Sequence, residues 1–291
     1  MALLDNILAY FPEVKGPKQK RLPFKEKLKW TMLILVLFFV LGLVPLYGLG
    51  QNSLQQFEFL SIILGASFGS IVSLGIGPLV TASIVLQLLT GTGILNIDLT
   101  TTDGRKRFQG LQKLSSIFFV VLEAAIYVLM GGLSPGTHYN PANGQFFVPA
   151  PNIPMPELAF ALDPGTIASI QLLLIFQLIL GGLIIMFMDE VISKWGFGSG
   201  ISLFIVAGVA QQIFIRLFNP LASGTTSGQF ALGYPFGGAE PIGKLWSTFY
   251  WISEGVPKEM LLAVGAIIST IVVFLICVYG QAMKVEIPLS F

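Results

Sequence analysis

The side chains able to do chemistry in this chain are few, and none of them forms a recognisable reactive centre. One cysteine, Cys277, sits in an apolar run, and one histidine, His138, sits in a stretch rich in Pro and Gly. A single thiol forms no disulfide within the chain, and one Cys with one His falls short of the usual zinc ligand sets. No paired aspartates, Ser/His pair or HExxH motif lies within the apolar runs. The expectation is a protein that is no enzyme and needs no cofactor. Two acidic features remain. Glu123 stands in the middle of SSIFFVVLEAAIYVLM. A charge at the centre of a bilayer costs about 3 kcal/mol or more, so this carboxyl faces a polar interior, meets a partner, or stays protonated in a structural role. Asp189 and Glu190 close another apolar run, with Lys194 one turn beyond Glu190. That spacing suits an i, i+4 ion pair at a solvated turn.

A second kind of chemistry is the exclusion of water. Ile76 and Val80 lie four residues apart, among Gly75, Gly77 and Pro78. Ile201 and Ile205 repeat the spacing after Gly196, Gly198 and Gly200. Such pairs share one helix face. Two readings are open. Apolar pairs at this spacing ordinarily pack a core, but two helices presenting them together can form a hydrophobic constriction that gates by dewetting.

The elements that must position these residues are membrane spans. Of 291 residues, 54% are apolar and only 11% charged, with a net charge of +1. Soluble domains carry about 25% charged residues, so lipid is the expected solvent, and charge gives no case for nucleic acid. A helix needs about 20 apolar residues to cross. Runs of that size fall at 29–48, within 59–97, and near 113–132, 165–188, 198–217 and 259–282, giving six spans. The first is too long an apolar run for a cleaved signal peptide, and no small-x-small site follows it. With the N-terminus placed in the cytoplasm, all but Arg216, Lys244 and Lys258 of the 16 Lys and Arg residues fall inside, which puts both ends of the chain there. Leu3, Leu4, Ile7, Leu8 and Phe11 recur at helical spacing before Pro12 and predict a short interfacial helix.

The stretch 51–91 holds about twice the residues that one crossing uses. Residues 54–65 are expected to form a short external helix, with Ser53 and Gln56 as a capping box and Leu54, Phe57, Leu60, Ile63 and Leu64 as its apolar face. Gly65 and Gly69 end it. A broken helix must bury its freed backbone groups or line a watery cavity, and in transporters it marks the pathway; a kink made for packing alone is the other reading. Residues 133–164 and 218–256 read as long external capping loops.

FKEKLKWT at 24–31, LGIGPLVTASIVLQLL at 74–89, FQGLQKLSSI at 108–117, DEVISKWGFGSGISLFI at 189–205 and VEIPL at 285–289 together resemble the SecY channel family, most closely its archaeal members. The resemblance implies an all-α fold of ten transmembrane helices in two halves of five, of which this chain carries six. Its expected layout is a cytoplasmic segment at 1–28, a five-helix bundle at 29–217, the external loop 218–256, a sixth span at 257–282, and the start of a cytoplasmic loop at 283–291. The chain then reads as an incomplete record of a longer protein. By resemblance, Ile76, Val80, Ile201 and Ile205 are pore-ring positions and 54–65 the plug. Helices 70–90 and 110–131 flank a lateral gate, with Thr81 and Glu123 as polar gate positions.

The resemblance also implies a passive channel for unfolded polypeptides, driven by a ribosome or another motor. Implied partners are SecE-type and SecG- or Sec-beta-type small subunits, the ribosome, signal sequences and nascent chains, the lipid bilayer, and the remaining C-terminal half of the channel. The competing classes are a secondary transporter, which would need several polar groups at the midplane, and an intramembrane enzyme, which would need a catalytic grouping.

Overall fold

The computed structural model describes residues 14–17, 22–50, 69–95, 97, 100–141, 144–147, 160–221 and 233–282. The proposed interfacial helix near the N-terminus, the plug at 54–65 and the segment 283–291 lie outside these residues. The chain divides into two compact units, Met1–Val209 and Ala210–Phe291.

In the first unit, α1 (Phe24–Gly42) starts after Pro23, whose extended backbone sets the helix entry, and carries Glu26 in its first turn. Here the structure corrects the expected span 29–48: the helix stops at Gly42, and 43–50 turn away. That irregular backbone is satisfied by protein. Leu46 N–H donates to Gly69 O at 2.8 Å, and Ile71 N–H to Val44 O at 3.0 Å. Gln177, a polar residue inside a long apolar helix, accepts from Tyr47 N–H at 3.0 Å and donates to Tyr47 O at 3.2 Å. Such pairing is what permits non-helical backbone at membrane depth.

The second correction concerns the helix expected over 70–90. Residues 69–76 form a run of turns, and α2 (Gly77–Gly91) begins only at Gly77. Gly75 takes a left-handed φ of +57°, which ends any helix running into it. Pro78, in the first turn of α2, lacks the N–H that a helix start leaves unpaired. Val72, Ser73 and Leu74 in the turns are buried. α3 (Thr102–Leu129) follows, capped by the Thr101 side chain, which accepts from Gly104 N–H at 3.1 Å. α4 (Pro164–Trp195) opens on Pro164 and ends at the extended Gly196. α2 packs on α3, α3 on α4, and α4 on α1.

α4 is the spine of this unit. Ile170, Leu174 and Leu178 join Leu74, Val120, Ala124 and Val128 in one core, while Ile185, Met188 and Ile192 join Ile34, Phe38, Val72 and Phe204 in another. Between them Gly181 and Gly182 admit close neighbours. A Cβ on Gly181 would stand 1.8 Å from Ile71 O, and one on Gly182 would stand 2.6 Å from Val120 Cγ1. The region read as a plain loop at 133–164 carries a small antiparallel sheet, β1 (His138–Asn140), β2 (Gln145–Phe147) and β3 (Phe160–Ala161), in the order β2-β1-β3. It adds a minor β element to an otherwise helical fold.

α5 (Gly200–Phe218) begins in the first unit. In the second unit, the region expected as a loop over 218–256 holds a helix, α6 (Lys244–Glu254), packed on α7 (Pro257–Ala282). α3 from Gly104, α4, α5 and α7 are long and apolar enough to cross a membrane. α2 is apolar but shorter, and α1 carries four charged residues near its start, Lys25, Glu26, Lys27 and Lys29.

Candidate functional site

The site is built where α1, α2, α4 and α5 meet. Ile76 is the residue before α2, and its carbonyl accepts from Leu79 and Val80 N–H, each at 3.1 Å. Its side chain is buried at 5% exposure among Ile34, Phe38, Val72, Ile185, Met188, Ile192 and Phe204. Val80 and Ile201 pack partly buried on the same cluster. Phe38 and Phe204 stack within it, centroids 4.9 Å apart. Ile205 lies one turn past Ile201 and is 41% exposed, outside the cluster. The structure thus brings Ile76, Val80 and Ile201 together and leaves Ile205 on an open face.

Asp189 holds the α5 contribution in place. Its Oδ1 accepts from Ile201 N–H at 3.0 Å. This is a donor that a helix start leaves unpaired. A Cβ on Gly200 would fall 2.6 Å from that same Oδ1, so the close approach needs glycine. The turn before α5 is tied to α1, with Phe197 N–H donating to Thr31 Oγ1 at 3.2 Å and the Phe24 and Phe197 rings 5.1 Å apart.

Thr81 and Glu123, from α2 and α3, also meet. The Thr81 hydroxyl donates to Gly77 O at 2.9 Å. A Cβ on Gly77 would stand 3.2 Å from Glu123 Oε2, so glycine makes room for the carboxyl. Gly77 is thus the point at which Thr81 of α2 and Glu123 of α3 come together.

The acidic end of α4 is busier than the expected solvated ion pair. Glu190 meets Lys194 at 2.9 Å as the spacing predicted, and also Lys113 of α3 at 3.0 Å. Lys194 Nζ donates to Val14 O at 2.6 Å, Val14 N–H donates to Glu190 Oε1 at 3.1 Å, and Trp195 Nε1–H donates to Lys15 O at 3.0 Å. Among the described residues, no three His, Cys, Asp or Glu side chains converge as a metal site would require.

Sequence reasoning missed Asp189 as a cap, Gln177 as a backbone partner, and Gly181 and Gly182 as a crossing point. Each had a faint signal, a polar or glycine residue interrupting an apolar helix.

Long apolar helices, a hydrogen-bonded break between them and an aliphatic cluster at the break define a polytopic helical membrane protein. More narrowly, the chain belongs to the SecY family: the SecY model matches residues 70–291, and the model for the plug domain of Sec61p matches 36–69. The protein translocase subunit SecY of Methanothermobacter thermautotrophicus is 42% identical over 286 residues, covering 98% of this chain and 54% of that protein. The same subunit of Pyrococcus furiosus is 38% identical over 289 residues, 97% of this chain and 55% of that one. The chain therefore spans about half the length of the curated relatives it matches.

Among solved structures, "The structure of a protein conducting channel" is similar at a TM-score of 0.69 and 36% identity, covering 98% of this chain and 54% of that one. Sec61 in a canine ribosome-channel complex from the endoplasmic reticulum is similar at 0.69 and 37% identity, covering 99% and 54%.

Proposed function

We propose that this chain forms the first half and the sixth membrane helix of the central pore subunit of a Sec translocon. In this role it passes unfolded secretory polypeptides across the membrane and releases membrane segments sideways into lipid. The observation that carries the proposal is the aliphatic cluster at the starts of α2 and α5, where Ile76, Val80 and Ile201 meet beside the open Ile205. An aliphatic ring makes no fixed hydrogen bonds, so it can yield around any side chain and close again to exclude water and ions. An apolar client residue gains about 0.3–0.6 kcal/mol on entering lipid at the helix centre, so ten such residues supply roughly 3–6 kcal/mol toward sideways release. The channel performs no catalysis, and a ribosome or another motor supplies the work.

Thr81 and Glu123 serve as polar positions on one side of a lateral gate, between α2 and α3. Residues 54–65 serve as a plug, adding to a seal that the ring already provides. Deleting 54–65 from the complete channel is expected to raise resting ion current while insertion continues, and an unchanged current would remove this role. The partners are SecE-type and SecG- or Sec-beta-type subunits, the C-terminal half of the channel, signal sequences and nascent chains, and the ribosome, in line with the Sec61 relative solved in a ribosome-channel complex. The location is the plasma membrane, with both ends of this chain cytoplasmic. The meeting of Lys113 and Lys194 at Glu190, with Lys15 beside Trp195, supports a common side for these basic residues. Cysteine labelling in intact cells should modify the exposed position 141 from outside and leave position 105 untouched; labelling at 105 would overturn the orientation.

A further inference from the structure

Helix α6 is amphipathic the wrong way round for a helix in water. Its one buried residue is Ser247, at 1% exposure, while Phe249 and Ile252 are 51% and 56% exposed. At about 100° per residue, Leu245, Phe249 and Ile252 share a single face, and Val256 continues it just past the helix end. Ser247 lies on the opposite side, with Lys244, Tyr250, Trp251 and Glu254 around it. A helix on a soluble protein turns its apolar stripe inward and its polar residues out. α6 turns a serine inward and Phe249 and Ile252 outward, with Val256 exposed and Leu245 half-buried on the same face. One exposed Phe would be unremarkable; a contiguous face marks a binding surface.

The chain itself says what lies opposite that face. Gly255 closes α6 with a φ of +68°, and Val256 N–H donates to Trp251 O at 3.2 Å. Pro257 then opens α7, a helix of 26 residues long and apolar enough to cross a membrane. Only Gly255 and Val256 separate the two helices, and α6 packs against α7. This junction holds α6 at the level where the span begins. Leu261 and Leu262, near the start of α7, are exposed as well. The aromatic content fits the same depth. Trp246, Tyr250 and Trp251 are of the types that favour the boundary between headgroups and acyl chains. The Trp246 indole N–H is satisfied by Phe218 O at 2.9 Å.

We propose that α6 is an interfacial helix whose partner is the lipid surface of the membrane that α7 crosses, with Leu245, Phe249, Ile252 and Val256 seated at the headgroup–acyl boundary. Helices with one strongly apolar face lie in the interface plane in this manner. The proposal rests on the reading of α7 as a membrane span. Its role is to hold the connection into α7 flat on the bilayer.

The test uses the complete subunit in nanodiscs, with Cys277→Ser as background and single cysteines from Phe249→Cys, Ile252→Cys, Glu254→Cys and Phe274→Cys, each carrying a polarity-sensitive fluorophore. Labels at 249 and 252 are expected to lose fluorescence to lipids brominated near the headgroup and to resist aqueous iodide. The label at 254 should be quenched by iodide. Iodide quenching at 249 and 252 equal to that at 254 would overturn the proposal in favour of a solvated helix. Protection from both quenchers would overturn it in favour of a protein cover. The label at 274, within α7, reports separately: if lipids brominated deep in the acyl chains fail to quench it, the membrane-spanning reading falls, and this proposal with it.

Discussion

Two regions of the first unit use similar residues to opposite ends. Where α4 crosses residues 70–76 and α3, Gly181 lets the Ile71 backbone and Gly182 the Val120 side chain approach within distances that a single Cβ would violate. At the starts of α2 and α5, Val80 and Ile201 are only partly covered and Ile205 is open. Both regions look like uniform apolar, glycine-punctuated sequence. They differ in what each side chain faces, and that decides which region carries stability and which can yield. Protein interiors are close-packed, so the crossing has no slack. A surface lining a lumen has contacts on one side only and loses little when trimmed.

The largest expected effect is at the crossing. Gly181→Ala places a methyl against Ile71 O, a backbone atom that cannot rotate away. The expected cost is about 3 kcal/mol, at the upper end for overpacking, partly offset by the better helix propensity of alanine. Thermal unfolding of the purified protein reads it. Gly182→Ala should cost less, because its neighbour is the Val120 side chain. Equal and small effects at both glycines would break the comparison.

A smaller effect is expected at Asp189. Asp189→Ala leaves Ile201 N–H without the acceptor that it now has at 3.0 Å. Loss of a cap costs about 1 kcal/mol. Because this cap aims α5, the sharper readout is functional: resting ion current in the complete channel should rise along with the modest loss of stability. Reduced stability with unchanged current would show that Asp189 supports the fold without setting the aliphatic wall.

The sequence carried the apolar runs, the basic asymmetry and the i, i+4 aliphatic pairs, because these are local patterns. Glu190 with Lys194 was legible for the same reason. Its second partner, Lys113, was not, since it lies 77 positions away in the sequence. The late start of α2 was hidden because LGIGPLVTASIVLQLL is uncharged throughout, and only the tertiary burial of Val72 and Leu74 makes turns affordable there. α6 was read as loop because Gly and Pro dominate its approach, although KLWSTFYWISE itself is a regular helix. The small sheet escaped because its strands are two or three residues long, too short for alternation to show. Within the candidate site, spacing singled out Ile76 and Ile205 alike without deciding between packing and a constriction. Only the packing separates a buried Ile76 from an open Ile205.

That separation selects the variant for the decisive experiment. Ile76 is embedded among its neighbours, so its truncation would mix a core defect of about 1–4 kcal/mol with any change in the pore. Val80→Ser, Ile201→Ser and Ile205→Ser, combined in the complete channel, avoid the most deeply packed position. The measurement is resting ion current across a planar bilayer, with thermal unfolding of the same preparation beside it. A constriction predicts a large rise in current and a melting temperature close to that of the unaltered protein. A marked loss of stability with no added current would contradict the account, because it would mean that these aliphatics pack a core and line no pore.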